Sequence, residues 1–126
     1  MYQIVYLNGS SSCGKTTLAR ALQEKLESSF LVFGIDQIIS MMPEKMNDWH
    51  NETNASGFSW HSVKDKNGQI TAYKIQTGPY GEKMVKLLKD MVVTAAKSGN
   101  NIIIDDVSWG KKQVAEWQNA LKDFNV

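Results

Sequence analysis

Residues 3–18 read QIVYLNGSSSCGKTTL, and this stretch decides the fold. Gln3 to Leu7 is a short apolar run with no helical spacing, which predicts a buried strand. It breaks into a Gly/Ser cluster and then into a segment that opens a helix. From Gly9 to Thr16 the residues fit G-x-x-x-x-G-K-[ST], between a strand and a helix, which is the context the motif requires. The glycines let the backbone curl until several N–H groups face one point, and the helix N-terminus adds positive potential there. Lys15 is then expected to reach β/γ-phosphates, and the Thr16 hydroxyl to ligate Mg²⁺. The expected phosphate-binding set is Gly9, Ser10, Ser11, Ser12, Cys13, Gly14, Lys15, Thr16 and Thr17. A turn that merely joined strand to helix would have no use for the Lys-Thr pair. Cys13 reads as a small residue that fits the loop rather than as a redox thiolate.

Working outward, Leu18, Leu22 and Leu26 repeat at helical spacing after the loop, with Ala19 and Ala21 beside them. FLVFG (Phe30 to Gly34) reads as a second buried strand, DQIISMM as a short helix, and Pro43 as its stop. Asn47 to Ser59 is polar and loop-like. HSVKDKNGQITAYKI then predicts a β-hairpin insertion near residues 59–75, with Asn67-Gly68 as a type I′ turn. Pro79 suits a helix start; Met84, Leu87, Leu88, Met91, Val92 and Ala95 give that helix its stripe; Lys97 and Gly99 end it. NIIIDD (Asn101 to Asp106) is a third buried strand, and Val114, Trp117 and Leu121 mark a last helix. FNV, at 124–126, reads as the start of a further strand. Continuous apolar strands alternating with amphipathic helices predict an α/β fold, a parallel sheet with helices on both faces. With the motif, this is a P-loop NTPase fold.

The chain has 126 residues and a net charge of +1, so nothing electrostatic points to nucleic acid or an anionic membrane. Its single cysteine cannot form an internal disulfide, which suits a cytoplasmic location. No apolar run approaches the ~20 residues that a membrane helix needs. Of the 14 basic residues, only Arg20 is an arginine. Two histidines, His50 and His61, with no nearby cysteine, make a poor zinc set.

Three further carboxylates bear on the chemistry. Asp105 and Asp106 end the third strand, where an acid can hold the Mg²⁺ side of a phosphate site. Either could serve, Asp105 being the slightly better placed. Asp36 lies two residues beyond the FLVFG run, at the carboxyl edge of the strands, where a small-molecule kinase needs a base. It also reads as the N-cap of the helix that follows, though a cap does not demand this location. Trp49 could stack on a flat substrate; Trp60 and Tyr73 read more simply as a cross-hairpin pair.

The segments NGSSSCGKTTLARALQ, FGIDQIISMMPEKM and NIIIDDVSWG, in this order, resemble the chloramphenicol phosphotransferase family over nearly the whole chain. That resemblance implies a single P-loop kinase domain over residues 1–126, which moves the γ-phosphate of ATP to a hydroxyl of a small molecule. It implies Asp36 as the base, Lys15 with it in catalysis, and Lys15 and Thr16 as the ATP and Mg²⁺ contacts. It implies that the segment from Met41 through the hairpin helps line the acceptor pocket. Members of that family continue with more strands and an arginine-bearing lid. The expectation is therefore a domain that is C-terminally incomplete, truncated after the third parallel strand and its helix, and weakly active or inactive alone. The alternatives are a kinase for another hydroxyl acceptor, such as a sugar or nucleotide-sugar, and a non-catalytic nucleotide-binding remnant. Oligomeric state is not legible.

Overall fold

The computed structural model describes residues 3–9, 14–50, 55–107 and 111–126. In chain order the elements are β1 (Ile4–Asn8), α1 (Lys15–Lys25), β2 (Phe30–Gly34), α2 (Ile35–Met41), a 3₁₀ turn (Glu44–Met46), β3 (Phe58–Lys64), β4 (Ile70–Thr77), α3 (Pro79–Lys97), β5 (Asn101–Asp106) and α4 (Lys111–Ala120). They pack as two compact units, residues 1–39 with 87–126, and residues 40–86.

The first unit holds a parallel sheet in the order β1-β5-β2. The strand made last lies in the middle. Its register sets Leu7 and Gly34 on either side of Asp105, and Asn8 beside Asp106. Ile102, Ile103 and Ile104 are fully buried because β5 has a strand on each side and helices on each face. Burial of each such side chain stabilises by about 1.5–3 kcal/mol.

Alternation along the strands sorts the faces. Ala19 of α1 packs with Phe30 and Ile103, together with Val5, Leu7, Leu22 and Val32, so α1 covers that face. Tyr6 and Asp106 point to the other face. There Trp117 of α4 meets Tyr6 at 6.0 Å between ring centroids, and Lys89 of α3 lies 5.0 Å over the Trp117 ring. The handedness rule gives the same arrangement. The step from β1 to β2 and the return from β2 to β5 run in opposite directions, so right-handed connections must use opposite faces. The expected parallel sheet with helices on both faces is present.

Helix stripes differ in detail from the sequence expectation. On α1 the buried positions are Lys15 and Ala19, while Leu18 is 50% exposed and Leu26 is also exposed. Small Ala19 lets the helix sit close to the sheet, and the leucines flank that contact. On α3 the buried line is Leu88, Val92 and Ala96, and Leu87 is exposed. The helix ends as predicted at Lys97, with Gly99 at φ 89. Phe124 to Val126 form no strand, though the Asn125 carbonyl accepts the Ile4 N–H at 2.9 Å. Among the described residues, no helix is long and apolar enough to cross a membrane.

The second unit is built on the β3–β4 antiparallel hairpin. The turn is not type I′. Only Gly68, at φ 77, is left-handed, and its N–H donates to the Asp65 carbonyl. The Asp65 carboxylate accepts from the N–H groups of Asn67 and Gln69, at 2.8 and 3.0 Å. This side-chain turn supplies the reversal, so Asn67 need not adopt positive φ. Trp60 does not pair with Tyr73. Its register partner is Ile75, and it packs edge-on against Trp49 at 5.8 Å, while Tyr73 stands exposed opposite Ser62.

Candidate phosphate-binding site

α1 starts abruptly. Gly14 caps it in the left-handed region, φ 81 and ψ 16, with no side-chain cap. A Cβ on Gly14 would meet nothing within 4 Å, so this glycine is needed for its φ, not for space. The turn delivers Lys15 and Thr16 as the first two helical residues, with the N–H groups of that helix end unused by the helix itself.

Both side chains converge on one carboxylate. Lys15 Nζ donates to Asp105 Oδ1, and Thr16 Oγ1 donates to Asp105 Oδ2 at 2.8 Å. Lys15 is only 8% exposed and Asp105 10%, so the pair is largely out of water. A lysine is seldom buried unless paired. Asp105 reaches this place because, as a neighbour of Ile104, it alternates to the α1 face of the sheet.

The next residue alternates the other way. Asp106 is buried and accepts the Trp117 indole N–H at 2.7 Å. Burial pushes its carboxyl above the usual carboxylate range. The Trp117 and Val107 N–H groups, and then the charges of Lys89 and Lys15, pull in the opposite direction. Lys89 also lies 3.9 Å from Glu116. The two candidate acids of the sequence thus have separate surroundings: Asp105 joins the Lys-Thr pair, and Asp106 anchors α4.

Gly34 brings the end of β2 against this point. A Cβ there would collide with the Asp105 carbonyl oxygen. One residue further, α2 begins, and Asp36 sits exposed inside its first turn. Asp36 is therefore not the N-cap that its sequence position also suggested. The sheet is parallel, so its location is at the same carboxyl edge as Asp105. Among the described residues its carboxylate has no hydrogen bond or ion pair. Gln37 was not singled out by sequence. Its amide accepts the Gly34 N–H at 3.3 Å and donates to the Val32 carbonyl at 3.0 Å.

Of the other expected residues, Gly9 follows β1 directly, and Thr17 is exposed on α1. Ser10, Ser11, Ser12 and Cys13 lie outside the described residues. Arg20 faces solvent and donates to Gln23 at 3.0 Å.

The set can hold an anion beside a hard cation. Among the described residues it offers an ammonium, a helix N-terminus, a hydroxyl and a carboxylate, with no sulfur or imidazole. A hydroxyl and a carboxylate suit Mg²⁺, which is usually held by one or two protein oxygens, with waters and phosphates completing the shell. Among the described residues no group of three His, Cys, Asp or Glu could hold a metal by itself.

The sequence matches the family model described as chloramphenicol phosphotransferase-like protein over residues 2–126. It is 26% identical over 122 residues to two Mycobacterium tuberculosis proteins, "Putative O-phosphotransferase Rv2636" of strain H37Rv and "Putative O-phosphotransferase MT2714" of strain CDC 1551. Each match covers 97% of this chain and 52% of the relative. The chain thus spans about half the length of these curated relatives.

Proposed function

Because the chain belongs to the chloramphenicol phosphotransferase-like family, we propose that it carries the nucleotide site of an ATP-dependent O-phosphotransferase. The reaction is transfer of the γ-phosphate to a hydroxyl of a small molecule of the chloramphenicol type. The observation that carries this reading is the convergence of Lys15 and Thr16 on Asp105 at the start of α1. A lone Gly/Ser turn would give no reason to bury a lysine there.

In this reading each residue has a distinct task. The loop ending at Gly14 and the first N–H groups of α1 bind the phosphate chain of ATP. Lys15 brings positive charge to the β/γ-phosphates, and Asp105 holds that ammonium in place until they arrive. Thr16 and Asp105 supply the protein oxygens for Mg²⁺; Asp106 is left to its bond with Trp117. Bound there, Mg²⁺ supplies neutralisation of the charge on the phosphate oxygens. Asp36 accepts the proton of the acceptor hydroxyl as that oxygen attacks. Little covalent chemistry is asked of the protein; positioning and electrostatics do the rest.

The test is γ-phosphate transfer with Mg-ATP to a panel of chloramphenicol, sugars and nucleotide-sugars, run for the parent and for Asp36→Asn. Any transfer by the parent should go to chloramphenicol, and Asp36→Asn should lose it while its affinity for an ATP analogue stays within about twofold. Clear transfer to a sugar with none to chloramphenicol overturns the acceptor. Parental transfer rates in Asp36→Asn overturn the base.

A further inference from the structure

We infer that Gln37 is a positioning residue for Asp36, through a side-chain clasp on the edge of β2. The inference rests on the reading of Asp36 as the base.

Among the described residues β2 lies at the edge of the sheet, and one row of its backbone groups has no strand neighbour there. The Gln37 amide takes two of them. Its Oε1 accepts from the Gly34 N–H, and its Nε2 donates to the Val32 carbonyl. A neighbouring strand would engage residues i and i+2 in the same alternation. Here the mimic comes from the same chain, three residues beyond Gly34. The clasp therefore closes a small ring through Gly34, Ile35, Asp36 and Gln37. Asp36 is held inside the ring rather than on a free helix turn.

Two contacts hold the ring from either side. Gly34 lies so close to the Asp105 carbonyl that a Cβ would not fit, which ties one end of the ring to the peptide that carries Asp105. Ile38, the residue after Gln37, is 1% exposed and fixes the α2 end. A continuous path of packed and hydrogen-bonded backbone thus runs from Asp105 to Asp36. Phosphoryl transfer depends on the acceptor oxygen meeting the phosphate in line, and a displacement of about 1 Å can cost 10²-fold. The ring sets that spacing.

Closing an exposed edge is the simpler role of such a side chain, and the molecule contains the control. Gln23 Nε2 donates to the Phe30 carbonyl at 2.9 Å, at the other end of the same strand and far along the chain from Asp36. If edge closure were all, Gln23 and Gln37 would behave alike.

The experiment compares Gln37→Met and Gln23→Met, which keep length and lose both donor and acceptor, with Gln37→Glu, which keeps only the acceptor. The readouts are kcat, KM for the acceptor, affinity for an ATP analogue, thermal midpoint, and hydrogen exchange of the Gly34 amide. Gln37→Met should speed Gly34 exchange and lower kcat by roughly 10- to 100-fold, with nucleotide affinity within about twofold. Gln37→Glu should recover part of that loss. Gln23→Met should leave kcat at the parent value. In an Asp36→Asn background, Gln37→Met should lower kcat no further, because the two act as one unit. Equal kcat in Gln37→Met and Gln23→Met overturns the positioning role even if Asp36→Asn is inactive. An additive loss in the double variant also overturns it. An active Asp36→Asn removes the base reading and this inference with it.

Discussion

Replacing Gly34 by alanine is the sharpest probe of the sheet edge that carries the site. The added methyl points at the Asp105 carbonyl oxygen, with the Asp105 carbonyl carbon at 3.5 Å and its Cβ at 3.7 Å. These atoms belong to a central strand, not to the free end of a flexible side chain, so β2 and β5 must separate locally. Overpacking of this kind costs about 1–3 kcal/mol. Gly34 has no left-handed φ, so no backbone strain is added, and the lower entropy of an unfolded alanine returns about 0.4–1 kcal/mol. The net loss is about 1–2 kcal/mol. For a chain of this size about 4 °C of thermal midpoint is lost per kcal/mol, so Gly34→Ala should melt about 4–8 °C below the parent. The displaced peptide carries Asp105, so affinity for Mg-ATP should fall as well. Circular dichroism melts and nucleotide calorimetry measure both. A variant that melts at or above the parent, with unchanged nucleotide affinity, refutes the close approach and the path built on it.

Asp105→Ala should be costlier, because it leaves the Lys15 ammonium buried without its partner; breaking a buried pair costs about 3–5 kcal/mol, read as a shift of the urea midpoint. The Asp106 carboxyl gives a pH signature. Its native value is raised by burial above the ordinary 3.8, so between those two values the folded state binds more protons than the unfolded chain. Stability then falls as pH rises through that window, and the deficit is constant above it. Asp106→Asn removes this dependence, so parent stability minus variant stability should decline from about pH 4 upward. Urea unfolding at a series of pH values checks it, and a gap that stays flat or grows refutes the assignment.

Much of the fold was legible because its signals are local. Strand runs and helix stops each sit within a few residues: the runs at 3–7, 30–34 and 101–106 fall on β1, β2 and β5, and Pro79 and Lys97 bound α3. The rest depended on which face an element presents. Neither run nor motif says which side of the sheet α1 covers, so Asp105 and Asp106 could not be separated until Ala19 and Ile103 were seen together. Helical spacing alone likewise did not say that Ala19 would be buried while Leu18 and Leu26 stay exposed. At the hairpin, Asn67-Gly68 was read as the turn, while the Asp65 side chain supplied the hydrogen bonds that set its type. Gln37 carried no signal, since a glutamine in a first helical turn is ordinary, and only the neighbouring strand edge gives it a task.

The strand order has a consequence for how the molecule comes into being. β5 occupies the slot between β1 and β2, and the carboxylate that joins Lys15 lies 90 residues downstream of it. A nascent chain therefore presents its loop and first two strands with no central partner, and closing so long a loop costs entropy before any contact repays it. The lysine, the hydroxyl and the carboxylate share one site only once β5 is paired with both β1 and β2.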